Sequence, residues 1–215
     1  MKKTILQIAL GIIILGLAYL LFDSIMKPVR FEKQVDSRSA AVIERISDIR
    51  SAERGYKKVH QVYTASFDTL IDFVLNGTMH FERQLYSTDD SVAMARLQKN
   101  KQKNVEKFTV RAIDTLFGKK KLTPEQVQQL RYVPFSKEAN NGVAQEFILG
   151  AGKVEVGNVM VPVFECKAPY KMYLRDLDEQ LLINLIDDAE NTMNKYPGIK
   201  VGDLQSATND AGNWE

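Results

Sequence analysis

Apolar residues come first and without interruption. From Ile5 to Phe22 the chain carries no charge and is mainly Ile and Leu, with Gln7, Gly11, Gly16 and Tyr19 among them. Eighteen helical residues span roughly 27 Å, close to the thickness of a bilayer's hydrocarbon core. A cleaved signal peptide would have a shorter apolar stretch and a small-x-small cleavage site. Here the bulky Tyr19, Leu20, Leu21 and Phe22 close the run, and no cysteine lies near to accept a lipid. The pattern predicts a retained membrane anchor over residues 1–26. Lys2 and Lys3 precede it; Asp23, Lys27, Arg30 and Lys33 follow it, so the positive-inside rule is nearly balanced. Long soluble domains translocate largely regardless of charge, and the reading is an amino terminus in the cytoplasm with the remainder outside.

Lys27-Pro28 is expected to end or kink this helix. A second helix is expected from Ser37 to Val62, with the stripe Val42, Ile46, Ile49, Ala52, Tyr56 and Val59 at spacings of three and four. Its polar face then carries Glu44, Arg45, Asp48, Arg50, Glu53, Arg54, Lys57 and Lys58. Ser66 reads as the N-cap of a short helix over Phe67–Leu75, stopped by Asn76-Gly77. Thr78–Tyr86 alternates weakly as a strand would, Asp89–Asn104 is polar and helical, and Phe108–Leu116 alternates again. Thr123-Pro124-Glu125-Gln126 has the form of a capping box and starts a helix that ends near Arg131.

The clearest β signal follows. Gln145–Val156 and Val159–Lys167 are apolar-rich runs joined by Gly157-Asn158, a two-residue hairpin turn of type I′. Pro162 marks the second run as an edge strand or a bulged one. Asp176–Lys195 is amphipathic, with Leu177, Leu181, Leu182, Leu185, Ile186 and Met193 inward. Tyr196-Pro197-Gly198 ends it before a short strand at Ile199–Val201. The fold class is therefore α+β: an N-terminal transmembrane helix, an amphipathic helix, then a small domain with an antiparallel sheet and helices. The domains read as a membrane anchor at 1–26, a juxtamembrane amphipathic helix at 27–64 and an extracytoplasmic α+β domain at 65–215.

Composition changes this little. Of 215 residues, 45% are hydrophobic and 26% charged, which excludes a mainly disordered, collagen-like or multi-span chain. A net charge of +2 gives no ground for a nucleic-acid partner. The single cysteine, Cys166, excludes an internal disulfide and a multi-cysteine metal site. Charge is nevertheless unevenly placed. Nine basic residues lie between Arg96 and Lys121 against Glu106 and Asp114, while nine acids and three bases lie from Arg175 to the end. Either the two regions neutralise each other, or the basic one meets lipid headgroups, cell-wall polymer or an acidic partner.

Candidate chemistry is sparse. His60 and His80 lack a ligand spacing. Cys166 in its strand reads as a small buried residue rather than a nucleophile. Asp187, Asp188 and Glu190 read as a solvated helix face. Gly150-Ala151-Gly152 lacks the third glycine and following helix of a phosphate cradle and reads as a bend or bulge. The expectation is a non-enzymatic protein with no catalytic residue, no cofactor and no metal.

The segments 46–58 and 63–70 resemble an uncharacterised family of single-span envelope proteins of the Bacteroidetes. The likeness extends to Leu130-Arg131-Tyr132-Val133-Pro134, Pro162-Val163-Phe164-Glu165, Val201-Gly202-Asp203-Leu204 and Gly212-Asn213-Trp214. The family supplies no catalytic residues to carry over. The order of apolar helix, amphipathic helix, Tyr56 and Tyr63, and small α+β domain is more distantly similar to type IV pilins and to the single-span assembly scaffolds of pilus and type II secretion machines. A pilin's processing site, Gly-Phe-Thr-Leu-x-Glu, is absent. The resemblance implies a bacterial inner-membrane scaffold with its domain in the periplasm, whose partners are the lipid bilayer and other envelope proteins. A pilin-like subunit, or an anchored cell-wall-binding or hydrolytic module, are the alternatives.

Overall fold

The structure is a computed structural model that describes residues 2–86 and 104–215. The helix expected over Asp89–Asn104 falls, up to residue 103, outside these, as does the first part of the basic segment.

Helix α1 runs unbroken over Lys2–His60, 59 residues with Pro28 inside it. Of the end or kink expected at Lys27-Pro28, the end is therefore corrected. Proline removes one donor, that to the Ser24 carbonyl, and the intact turns on either side carry the helix across the gap. The first half of α1 is apolar and uncovered: Leu15, Tyr19, Leu20, Leu21 and Ile25 are all exposed. An eighteen-residue window of the helix reaches a mean hydropathy of 1.8, so α1 is long and apolar enough to cross a membrane. The second half buries Val42, Ile46, Ile49 and Ala52 completely. The helix thus changes surroundings along its length while keeping one backbone ladder.

The short elements follow their local signals. Helix α2 spans Phe67–Asn76, and its Ser66 cap accepts from the Thr69 N–H at 3.4 Å. Strands β1 (Thr78–Gln84) and β2 (Val105–Arg111) form an antiparallel ribbon in which Phe81 faces Phe108, their ring centroids 5.7 Å apart. The alternation expected through Leu116 stops early: Arg111 leads into helix α3, Ala112–Phe117, and its guanidinium reaches Asp114 at 2.8 Å. Helix α4, Pro124–Gln128, opens on the full capping box and continues as a 3-10 turn over Gln129–Arg131. Helix α5 is one turn, Ser136–Ala139.

Strands β3 (Ile148–Val156) and β4 (Val159–Pro169) pair in unbroken antiparallel register from Ile148↔Lys167 to Val156↔Val159. The hairpin is as expected, its turn type is not. Gly157 has φ +60° while Asn158 is not among the residues at positive φ, which is the type II′ pattern rather than I′. Helix α6 is Tyr170–Tyr173. Helix α7, Glu179–Asp187, is capped by Asp178 and ends in a π-turn over Asp188–Thr192. It is shorter than expected, and Met193 beyond the π-turn is exposed rather than inward.

Strand β5, Gly198–Gly202, completes a sheet in the order β3-β4-β5. Pro162 consequently lies on the central strand, not an edge one. A Cβ at Gly202 would strike the Phe164 carbonyl and one at Gly198 the Ala168 carbonyl, so β5 lies beside residues 164–168 of β4. Pro162 falls two residues past that contact, where its missing N–H costs no ladder bond on the β5 side. Gly150-Ala151-Gly152 is regular strand rather than a bulge. A Cβ at Gly150 would come within 3.0 Å of Leu204, so the absent side chain makes room for that leucine.

The chain divides into two compact units. One comprises Met1–Glu44, Val133–Gln145 and Ala168–Ile199; the other comprises Arg45–Tyr132, Glu146–Lys167 and Lys200–Glu215. In the first, Val42, Tyr173 and Leu174 are fully buried, and Arg38 donates to the Tyr173 carbonyl at 2.7 Å and to both Asp176 oxygens at 2.5 and 2.7 Å. In the second, Ile46, Ile49 and Ala52 lie in a core with Leu70, Val74, Val127, Phe164, Cys166 and Val201.

Candidate functional site

The least ordinary side chain is Glu53. Val42, Ile46, Ile49 and Glu53 are spaced by four, three and four, so the apolar stripe of α1 carries a carboxyl into the core. Glu53 is fully buried, which corrects its expected place on the polar face. Helix α1 ends at His60, and Gln61 at φ +63° turns the chain back. The return brings the Thr64 N–H onto Glu53 Oε2 at 3.1 Å, while Oε1 is buried without a hydrogen-bond partner among the described residues. Burial pushes the Glu53 carboxyl up to about 8, against the opposing Thr64 bond and with the negative charge of Asp210 adding to it. At neutral pH the group is therefore mostly protonated.

Two further layers surround it. The Tyr63 hydroxyl donates to Asp210 Oδ2 at 2.7 Å, and Arg54 Nε donates to the same oxygen at 3.1 Å. Lys57 Nζ stands 3.3 Å from the Tyr63 hydroxyl and 4.6 Å from its ring centroid. Burial, then the Asp210 contact, push the Tyr63 phenol above its ordinary value. Cys166 is fully buried, and burial raises its thiol too, with Glu53 and Glu165 adding to the effect. A cleft of about 130 Å³ opens nearby between Lys57, Val161–Phe164 and the loop Ser206–Asp210, but neither Glu53 nor Cys166 lines it. A protonated carboxyl and a protonated thiol buried in the core can hold strands and loops in place. They lack the access to substrate that acid–base or nucleophilic work requires.

The residues singled out in the sequence are dispersed. His60 is exposed and stacks on Tyr56 at 4.3 Å; His80 is exposed on β1 with Nδ1 3.1 Å from the Thr109 hydroxyl. Asp187 accepts from Asn191 at 2.6 Å on an open face. Among the described residues no group of three or more His, Cys, Asp and Glu side chains could hold a metal ion.

Charge pairing takes a route the sequence did not suggest. Among the described residues the C-terminal acids are paired elsewhere than on the basic segment. Asp176 pairs with Arg38, Asp210 with Arg54 and Glu215 with Arg50 at 2.5 Å, so arginines of α1 gather them. Arg50 also lies over the Trp214 ring, 5.8 Å from its centroid. Of the described basic residues of the segment, Lys107 pairs with Glu82, Arg111 with Asp114 and Lys120 with Asp48.

Larger clefts also lie among the described residues. One of about 620 Å³ lies between α2 and α4, lined by Asp68, Ile71, Asp72 and Leu75 on one side and by Glu125, Gln128, Gln129, Arg131 and Tyr132 on the other. Arg131 closes part of it by pairing with Asp68 and, at 3.5 Å, with Glu146. Another, of about 260 Å³, lies between α1 and the turn before α7, lined by Lys27, Arg30, Phe31, Gln34, Asp176, Leu177 and Asp178. No protein-family model matches the chain, and no curated protein or solved structure is similar to it.

Proposed function

We propose that this protein is a non-enzymatic, single-pass protein of the bacterial inner membrane, amino terminus in the cytoplasm and α+β body in the periplasm. In this reading it serves as a scaffold or assembly component of an envelope-spanning machine, with the bilayer and other envelope proteins as partners. The observation that carries it is the division of α1. Among the described residues nothing packs on the apolar run from Leu10 to Phe22, and such a surface is stable only when something apolar covers it. A bilayer matches both its length and its lack of charge. The same helix continues into a body whose titratable core groups are sealed from solvent, which favours a structural role over a catalytic one.

The test is fractionation of cells expressing the full chain. Resistance to alkaline carbonate extraction, with the body digested by protease only once the outer membrane is opened, is the expected result. Release by carbonate, or digestion only after the inner membrane is broken, would overturn the anchor or its orientation. Crosslinking before membrane purification then reads the scaffold role: a defined set of envelope proteins is expected, and recovery of the chain alone would count against it.

A further inference from the structure

The cleft of about 260 Å³ beside Lys27 has a charge arrangement and a position that together specify a ligand. Its α1 wall presents Lys27 and Arg30. Among the described residues both pair with Asp23, at the long distances of 3.7 and 3.5 Å, and both side chains are largely exposed. Its other wall presents two carboxylates of different standing. Asp176 is committed, since both its oxygens accept from Arg38, which holds its carboxyl below the ordinary range. Asp178 caps α7 through one oxygen, accepting from the Leu181 N–H at 3.0 Å, and lines the cleft. Two cations thus face one anion across a small opening whose remaining lining includes Phe31 and Leu177.

The height of the cleft follows from helix geometry. Lys27 lies five residues past Phe22 and Arg30 eight, about 7.5 and 12 Å along the axis. Side chains on a helix slope toward its amino terminus, so both cationic heads lean back toward the apolar run. That places them in the headgroup layer, roughly 5 to 8 Å deep on each side of the hydrocarbon.

We propose that this cleft receives the headgroup of an amine-bearing phospholipid, its phosphate on Lys27 and Arg30 and its ammonium on Asp178. The proposal rests on the membrane reading above. A headgroup with phosphate alone would satisfy the cations and leave the Asp178 carboxylate facing it. A quaternary ammonium would offer that carboxylate no N–H to accept. A primary ammonium satisfies both walls.

The full chain, reconstituted in vesicles of phosphatidylethanolamine, phosphatidylglycerol and phosphatidylcholine in equal parts, is gently re-extracted and its retained lipids counted by native mass spectrometry. Phosphatidylethanolamine should exceed each of the others at least about fivefold, the preference that roughly 1 kcal/mol provides. Lys27→Gln combined with Arg30→Gln should abolish lipid retention. Asp178→Asn, which still caps α7, should leave retention intact and erase the preference over phosphatidylglycerol. Retention in proportion to the mixture, or a preference that survives Asp178→Asn, overturns the proposal. Flotation of the same vesicles separates the two readings: a chain that fails to float removes the membrane anchor as well, whereas one that floats without headgroup preference removes only this site.

Discussion

Thr64 is fastened to Glu53: its backbone N–H donates to Glu53 Oε2 at 3.1 Å, inside the core, eleven positions along the chain. The contact pins the chain as it leaves α1, and it does so through a group that burial keeps mostly protonated at neutral pH.

That protonation has a sign. The folded carboxyl holds its proton up to about 8, while the unfolded chain releases it near 4.5. The stabilisation is therefore fully present below about pH 4.5 and is lost as pH rises through 8, a change on the order of 5 kcal/mol for this group. Glu53→Gln should match the parent near pH 5, exceed it at pH 9 and show a flatter profile between. Urea unfolding across that range measures it, and parallel profiles would refute the assignment.

Asp210 ties the C-terminal loop to two groups, the Tyr63 hydroxyl and Arg54. Asp210→Ala leaves a partly buried hydroxyl without its acceptor and should cost about 1–3 kcal/mol. Hydrogen exchange should quicken over residues 206–215. Because the Asp210 charge helps hold the Glu53 proton, the same variant should also move the Glu53 midpoint downward.

Cys166 should be inert in the folded protein. Iodoacetamide should label it only in denaturant, since the reactive thiolate is suppressed by burial. Cys166→Ala should be tolerated better than Cys166→Ser, which puts a hydroxyl in an apolar place at a cost of about 1–3 kcal/mol. Rapid labelling under native conditions would contradict the described core.

The β3–β4 turn distinguishes its two residues. Gly157 at φ +60° should lose about 1 kcal/mol on change to Ala, whereas Asn158→Ala should change stability by less than about 0.5 kcal/mol. Equal losses at both positions would point to a type I′ turn instead.

Local chemistry was legible in the sequence wherever a short motif decides the outcome. Ser66, the Thr123–Gln126 box and the Gly157-Asn158 hairpin are of this kind. Pro28 was not, because whether proline ends a helix depends on how well the flanking turns hold, not on its presence. Glu53 was missed for a different reason. Arg50, Glu53, Arg54 and Lys57 together look like a solvated run of opposite charges. The available signal was the four-three-four spacing from Val42, which puts Glu53 on the buried stripe, and only the returning loop at Thr64 explains why a carboxyl is tolerated there. The pairing of α1 arginines with Asp176, Asp210 and Glu215 spans well over a hundred positions, and no local pattern encodes it.

A helix that does not stop at Pro28 has a phase. Each residue of α1 fixes the angular position of every other, so Leu15 and Arg38 are locked to one another as two marks on a shaft. One alanine inserted after Glu32 would turn the apolar run by about 100° against Arg38 and shift it by about 1.5 Å. Seven inserted alanines would restore the angle to within about 20° while lengthening the shaft by about 10 Å. Insertions in this stretch therefore separate rotation from reach. If the proposed assembly role tolerates seven residues and not one, the protein works by presenting a particular side at a fixed bearing, and its distance from the apolar run is secondary.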